Sequence, residues 1–237
     1  MSGTRADGRA PEELRPIGIA IGVQRDPHGS VQIRCGHTVV LCAASVSDKV
    51  PDWLAGKGRG WVTAEYSMLP GSSGTRVPRV QKGRAEEIQR LVGRALRMSI
   101  DLDALGERLV TVDCDVIQAD AGTRCASITG GMVALELACR RLVAEGKLAA
   151  SPIRRRVCAV SVAVAGGEPL LDPDYSEDRH ADVDTNLVFT DDGRLVEVQG
   201  TAESEPFGIE TLDRIVRLGL DGARRLFEAQ AAALARS

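Results

Sequence analysis

The chain changes its hydrophobic period repeatedly, and each change marks an element. Leu109 to Ile117 alternates, with Val110, Val112, Cys114 and Val116 on one face and Thr111, Asp113 and Asp115 on the other. A period of two is the pattern of a half-buried strand. Beyond it Ile128, Met132, Leu135, Cys139 and Leu142 recur at intervals of three and four, a helix stripe that should end near Gly146. Upstream, Ile17 to Gln24 and Val31 to Ser45 read as strands around an Asp26-Pro27-His28-Gly29 turn, with Val39 to Ala44 as buried core. Trp61 to Leu69 is a further strand. Arg84 to Ile100 reads as a helix with Ile88, Leu91, Val92, Ala95 and Leu96 turned inward. After a link from Lys147 to Arg156 the order repeats. Val157–Ala165 and Leu170–Asp172 are strands, and Val183–Thr190 and Leu195–Gln199 flank an Asp191-Asp192-Gly193-Arg194 turn. A helix from Ile209 to Ala235 closes the chain. Strands followed by helices, twice, predict an α+β fold: two similar sheet-plus-helix halves, 1–146 and 153–237, in one compact subunit.

The candidate chemistry sits where the patterns meet. Between the alternating strand and the helix lies Asp120-Ala121-Gly122-Thr123-Arg124. A Gly-containing turn that opens a helix leaves backbone N–H groups free, and the helix dipole adds to their pull on an anion. Thr123 adds a hydroxyl and Arg124 a guanidinium fork suited to phosphate. The same residues also describe a capped turn with a surface arginine. Arg90, Arg94 and Arg97 form a stripe that is either a solvated face or a polyanion-facing one. Pro70 to Gly83 is a polar loop bearing Arg76, Arg79 and Lys82. Gly56-Lys57-Gly58-Arg59-Gly60 does not fit the GxxxxGK[ST] phosphate loop and reads as a mobile loop. From Asp172 to Asp184 the chain carries five Asp and one Glu in thirteen residues, and Asp184 begins an apolar strand. Such carboxylates bind Mg²⁺ through oxygen or serve as acid and base; as a mere charge run they would be a solvated loop.

Composition narrows the picture. With 237 residues, 43% of them hydrophobic, the chain can bury a large core. Its net charge of −3 excludes a wholly basic nucleic-acid binder, so any polyanion site is a local patch. Only seven residues are aromatic, too few for an extended base-stacking platform. Six Cys form no CxxC pair and only three His are present, so a structural zinc site is not expected. Cys114 and Cys139 lie on apolar faces, as buried thiols do in a reducing cytoplasm. The N-terminus has no signal-peptide core and no apolar run reaches spanning length, so a cytoplasmic protein is expected.

Several stretches together resemble the bacterial ribonuclease PH family, phosphorolytic 3′→5′ exoribonucleases. They are Asp7-Gly8-Arg9, Glu13-Leu14-Arg15-Pro16, the run Gly60 to Pro70, Glu87-Ile88-Gln89-Arg90-Leu91, Asp113 to Asp120 with Gly122-Thr123-Arg124, Asp178, Asp184, and Val196 to Thr201. The resemblance implies phosphate bound by Gly122, Thr123 and Arg124 with Arg84 as a second ligand. It implies Mg²⁺ held by Asp178 and Asp184, which also serve catalysis. Arg76 and Arg79 keep the family's Arg-x-x-Arg spacing, and with Arg90 they are the RNA-binding candidates. The implied partners are RNA, above all transfer RNA precursors, inorganic phosphate, and further copies of the chain in a hexamer built as a trimer of dimers; neither DNA nor a membrane is expected. Ala121 stands where the family has the first Gly of the phosphate turn, Ala85 where it has Thr, and the loop after Pro70 is shorter. Two other readings are a non-catalytic RNA-binding ring subunit of an exosome-like assembly and a phosphate-binding small-molecule enzyme of similar architecture.

Overall fold

The computed structural model describes residues 5–81 and 83–237; the first four residues of the polar arm, and Lys82, lie outside it. Two sheets organise the fold. The first has five strands in the order β1-β2-β3-β5-β4: β1 (Ile17–Ile21), β2 (Gly29–Cys35), β3 (Thr38–Ser47), β4 (Trp61–Met68) and β5 (Leu109–Gln118). The second has four, ordered β7-β6-β8-β9: β6 (Val157–Ala165), β7 (Glu168–Leu171), β8 (Val183–Thr190) and β9 (Leu195–Ala202). All pairings are antiparallel except β4 with β5, which run parallel. A parallel pair needs a crossover, and α1 (Arg84–Arg97) with the short α2 (Leu102–Leu105) supplies it. The expected α+β class therefore holds, with a mixed first sheet and an antiparallel second.

Helix α3 (Thr123–Ala144) lies between the sheets. It packs on β2, β3 and β5 of the first and on β6 of the second. On the side toward β6, Thr129 Oγ1 donates to Ala159 O at 3.3 Å and accepts from Ala159 N at 3.1 Å. Burial on both sides explains why its apolar stripe is joined by buried Ser127, Thr129, Gly130 and Gly131. Helix α5 (Ile209–Leu234) covers the other face of the second sheet, where Val160, Val162, Leu171, Leu187, Phe189 and Ile215 form a second core.

The structure corrects the reading in three places. The run Val31 to Ser45 is not one strand but a hairpin, because Gly36 takes φ +57 and reverses the chain beneath Arg15. The helix from Arg84 stops at Arg97, and Ile100 instead bridges to Ile153. The acidic segment is not only loop: Tyr175–Arg179 forms a short helix, α4, closed by a capping box in which Asp174 and Glu177 exchange side-chain and backbone bonds.

Candidate active site

Strand β5 ends on one side of a cleft and strand β8 begins on the other. The cleft has a volume of about 730 Å³. It is lined from the first half by Arg84 at the start of α1 and by Ala119 to Arg124, and from the second by Asp178, Asp184 and Asn186. Six of the residues singled out in the sequence thus meet there: Arg84, Gly122, Thr123, Arg124, Asp178 and Asp184. The other three do not. Arg76 and Arg79 are exposed on the loop after Pro70, whose Ser73, Gly74 and Thr75 do reach the cleft. Arg90 lies in a separate groove between α1 and β4 with Arg94 and Arg97. That stripe is partly occupied by its own protein: Arg94 pairs with Glu197 at 2.7 Å, and Arg97 donates to Val62 O and stacks over Trp61 at 4.5 Å. Asp113 and Asp115, from the same run as the turn, alternate away from the core and lie outside the cleft.

The turn presents donors of the kind that suit an anion. Ala121 and Gly122 are both left-handed, at φ +55 and +66, and lead into the first turn of α3 at the lining of the cleft. Among the described residues no side chain caps the helix, so those donors are open to a ligand. The turn is pinned from behind: Thr38 Oγ1 donates to Ala121 O at 2.6 Å and accepts from Asp120 N at 2.9 Å. Thr123 is nearly buried, with its hydroxyl 2.8 Å from the Tyr66 hydroxyl. Burial pushes the Tyr66 phenol up, which keeps its proton in place. With Tyr66 donating, the Thr123 proton is available to a ligand. Arg124 Nη1 donates to Gln199 Oε1 at 2.6 Å, and Gln199 in turn donates to Glu87 at 2.7 Å, so one edge of the guanidinium is held and the other is free. Arg84 is exposed and forms no ion pair among the described residues.

Opposite stand the carboxylates. Burial pushes Asp178 above the usual carboxylate range and the nearby Asp184 adds to the rise, against the opposing pull of Arg84 and Arg124. Burial likewise raises Asp184, with Arg124 and an Asn186 hydrogen bond of 3.4 Å working the other way. Among the described residues no three His, Cys, Asp or Glu side chains converge on one metal position. Mg²⁺, however, often takes one or two carboxylates, waters and substrate phosphate oxygens, and this pair suits that mode. Beneath Asp184, Cys125 Sγ lies 3.3 Å from Asn186 Oδ1 and 3.4 Å from Ser161 Oγ. Burial pushes this thiol up to about 12, so it is a neutral packing group and not a nucleophile.

Sequence reasoning missed Tyr66, Asn186, Gln199 and the backing residue Thr38. Asn186 was within reach, two residues after Asp184 on a strand and hence on the same face. The others act across long sequence separations and leave no local periodic signal.

An α+β protein that sets a glycine turn and two arginines against a pair of carboxylates across one cleft has groups suited to transfer chemistry at phosphorus. The 3′ exoribonuclease family profiles match the chain at residues 13–140 for domain 1 and 155–222 for domain 2. Ribonuclease PH of Dehalococcoides mccartyi is 52% identical over 231 residues, covering 95% of this chain and 96% of that protein. Ribonuclease PH of Synechococcus elongatus is 50% identical over 237 residues, covering 99% and 100%. Among solved structures, rice Rrp46 superposes with a TM-score of 0.81 at 19% identity, covering 97% of this chain and 100% of that one. A chain of the Archaeoglobus fulgidus exosome, solved with RNA bound to the active site, gives 0.82 at 23% identity, covering 95% and 92%. The chain belongs to the 3′ exoribonuclease family, in its ribonuclease PH branch, and is a phosphate-dependent 3′→5′ exoribonuclease.

Proposed function

We propose that the cleft holds the 3′ end of RNA between the two halves, with inorganic phosphate in the Gly122-Thr123-Arg124 turn as the nucleophile. The observation that carries this reading is the convergence of a free helix N-terminus, Arg84 and Arg124 on one wall with Asp178 and Asp184 on the other. A phosphate oxygen attacks the last phosphodiester phosphorus. The bond from that phosphorus to the 3′ oxygen of the preceding nucleotide breaks, and a nucleoside diphosphate leaves. Arg84, Arg124 and the turn N–H groups hold the nucleophile against the repulsion of the RNA backbone. Asp178 and Asp184 are the residues that would hold Mg²⁺, which when bound supplies positive charge beside the scissile diester. Their raised pKa values also suit one of them to keep a proton near the departing 3′ oxygen.

The 3′ ends of transfer RNA precursors are the substrates this reading favours, with Arg76, Arg79 and Arg90 touching the RNA body outside the cleft. The protein works in the cytoplasm as a closed hexameric ring, which gathers the exposed loop arginines of several subunits. Support for a ring comes from the superposition on a chain of the Archaeoglobus fulgidus exosome, itself an assembly, and from exposed apolar side chains such as Leu195 and Val198 on β9. A non-catalytic ring subunit has less support, because the relatives at about half identity are named as the enzyme. The test is incubation of 3′-labelled RNA with Mg²⁺, with and without phosphate. Nucleoside diphosphates released only with phosphate are expected; monophosphates released at an undiminished rate without it would refute the reading.

A further inference from the structure

Arg15 is a guanidinium with almost no access to solvent, 4% exposed, on the segment that leads into β1. It touches none of the space where substrate would lie and does not line the cleft. Its Nε and Nη2 donate to the two oxygens of Asp172, at 3.0 and 2.6 Å, and its backbone N–H donates to the same carboxylate at 2.9 Å. Its Nη1 donates to the backbone carbonyl of Asp120 and lies 3.7 Å from the Asp120 carboxylate. Asp120 is the residue just before the left-handed pair of the turn, and Asp172 directly follows β7, three residues before α4 begins. The loop is closed once more, because Asp120 Oδ1 accepts from the backbone N–H of Tyr175, the first residue of α4.

One side chain therefore holds both walls of the cleft from behind. The turn wall is gripped at Asp120 and crossed beneath Gly122, where an added Cβ would lie 3.0 Å from Arg15 Nη2. The acidic wall is gripped at Asp172, a non-glycine residue at φ +49, a conformation that its surroundings must enforce. Arg5, also buried, holds the far end of the same wall: it donates to Glu177 at 2.7 and 2.6 Å and to Asp172 O at 3.1 Å. Burial works against the charge of Arg15, but the hydrogen bonds and proximity of Asp172 outweigh it and leave the guanidinium firmly protonated.

We propose that Arg15 is a positioning residue for the reaction: through Asp120 and Asp172 it fixes the distance between the phosphate turn and the acidic pair. The inference rests on the turn being the phosphate site. A planar fork can grip a carboxylate with one edge and a carbonyl with the other, and a lysine ammonium cannot reproduce this. With the clamp loosened at Asp120 and beneath Gly122, the turn's donors lose their fixed aim at phosphate and also their register with Asp178 and Asp184. A displacement of about 1 Å between reacting groups costs on the order of a hundredfold in rate.

Two variants test the clamp in the full-length protein. Arg15→Lys keeps the charge. The double variant Arg15→Met with Asp172→Asn removes charge on both sides, so no lone ion stays buried, and asparagine tolerates the left-handed backbone. The readouts are kcat and the phosphate KM for shortening of an oligoribonucleotide, RNA affinity without phosphate, and thermal unfolding. Both variants should unfold cooperatively, bind RNA within about twofold of the parent, and show a phosphate KM raised about tenfold or more with a lowered kcat. A folded variant with the parent's phosphate KM and kcat would overturn the proposal. So would an equal weakening of phosphate and RNA, or failure of both variants to fold, since either would make Arg15 a general stabiliser. Arg124→Ala, run alongside, keeps the two ideas apart. If it leaves the phosphate KM unchanged, the phosphate-site assignment fails; if it raises it while the Arg15 variants do not, only the clamp fails.

Discussion

Replacing Ala121 by glycine should stabilise the protein and leave phosphate use intact. Ala121 sits at φ +55, where its Cβ crowds the neighbouring carbonyl oxygen. An L-residue held there costs about 1–2 kcal/mol. Glycine removes that cost but returns about 0.5–1 kcal/mol through the greater freedom of the unfolded chain. The balance is a gain of about 0.5–1 kcal/mol, and for a chain of this length each kcal/mol moves Tm by about 2–4 °C, so a rise of about 1–4 °C is expected. The bonds from Thr38 to Ala121 O and from Asp120 N to Thr38 hold the turn's path independently of the side chain. The phosphate KM should therefore stay within about twofold of the parent. The assay is thermal unfolding followed by circular dichroism, with phosphate kinetics on the same preparations. Gly122→Ala is the opposing control. At φ +66, with a Cβ 3.0 Å from Arg15 Nη2, it should cost about 1–2 kcal/mol and raise the phosphate KM. A lower Tm for Ala121→Gly, or shifts of the same sign in both variants, would refute the reasoning.

Three further outcomes follow from the site and its surroundings. Asp184→Asn should abolish turnover yet raise Tm at neutral pH without divalent cations. Folding lifts the Asp184 pKa above 3.8, chiefly by burial, so stability is lost as pH rises from there through the folded value; the gain should vanish below pH 3.8, and equal melting curves at neutral pH would contradict this. Arg124→Ala should weaken phosphate use by about tenfold or more, the worth of one charge-assisted contact, while RNA affinity measured by equilibrium binding changes little. Thr185→Val should stabilise the protein by about 1 kcal/mol, read in a thermal melt, because the fully buried Thr185 hydroxyl has no hydrogen-bond partner among the described residues.

Much of the architecture could be read from period alone. The alternation from Leu109 and the spacing from Ile209 are set by one buried face each, and such faces print themselves on the sequence. The hairpin at Gly36 was lost because the alternating apolar positions of β2 lead straight into the apolar β3 and the turn between them is only two residues long. Helix α4 was lost because its Asp174-x-x-Glu177 capping signal is also a charge run. Arg124 and Asp184 were marked by local pattern and charge, whereas Arg84 and Asp178 came from the family resemblance; the structure brings all four to one cleft. Arg15 with Asp172, 157 residues apart, and Tyr66 with Thr123, 57 apart, were not legible, since nothing local marks which polar groups will meet.

The position of α3 between the sheets bears on how the enzyme is made. A ribosome releases the phosphate turn before any of the second sheet exists. Helix α3 has 15 buried positions out of 22, and one of its sides rests on β6, which is synthesised later. Until β6 and β8 emerge, that side has no shelter and the turn has no acidic wall to face. The nascent chain thus carries the Gly122 turn and Arg124 without the carboxylates that face them in the finished fold. A polypeptide still tethered to messenger RNA and surrounded by transfer RNA gains the means to shorten RNA only after the second sheet has been made.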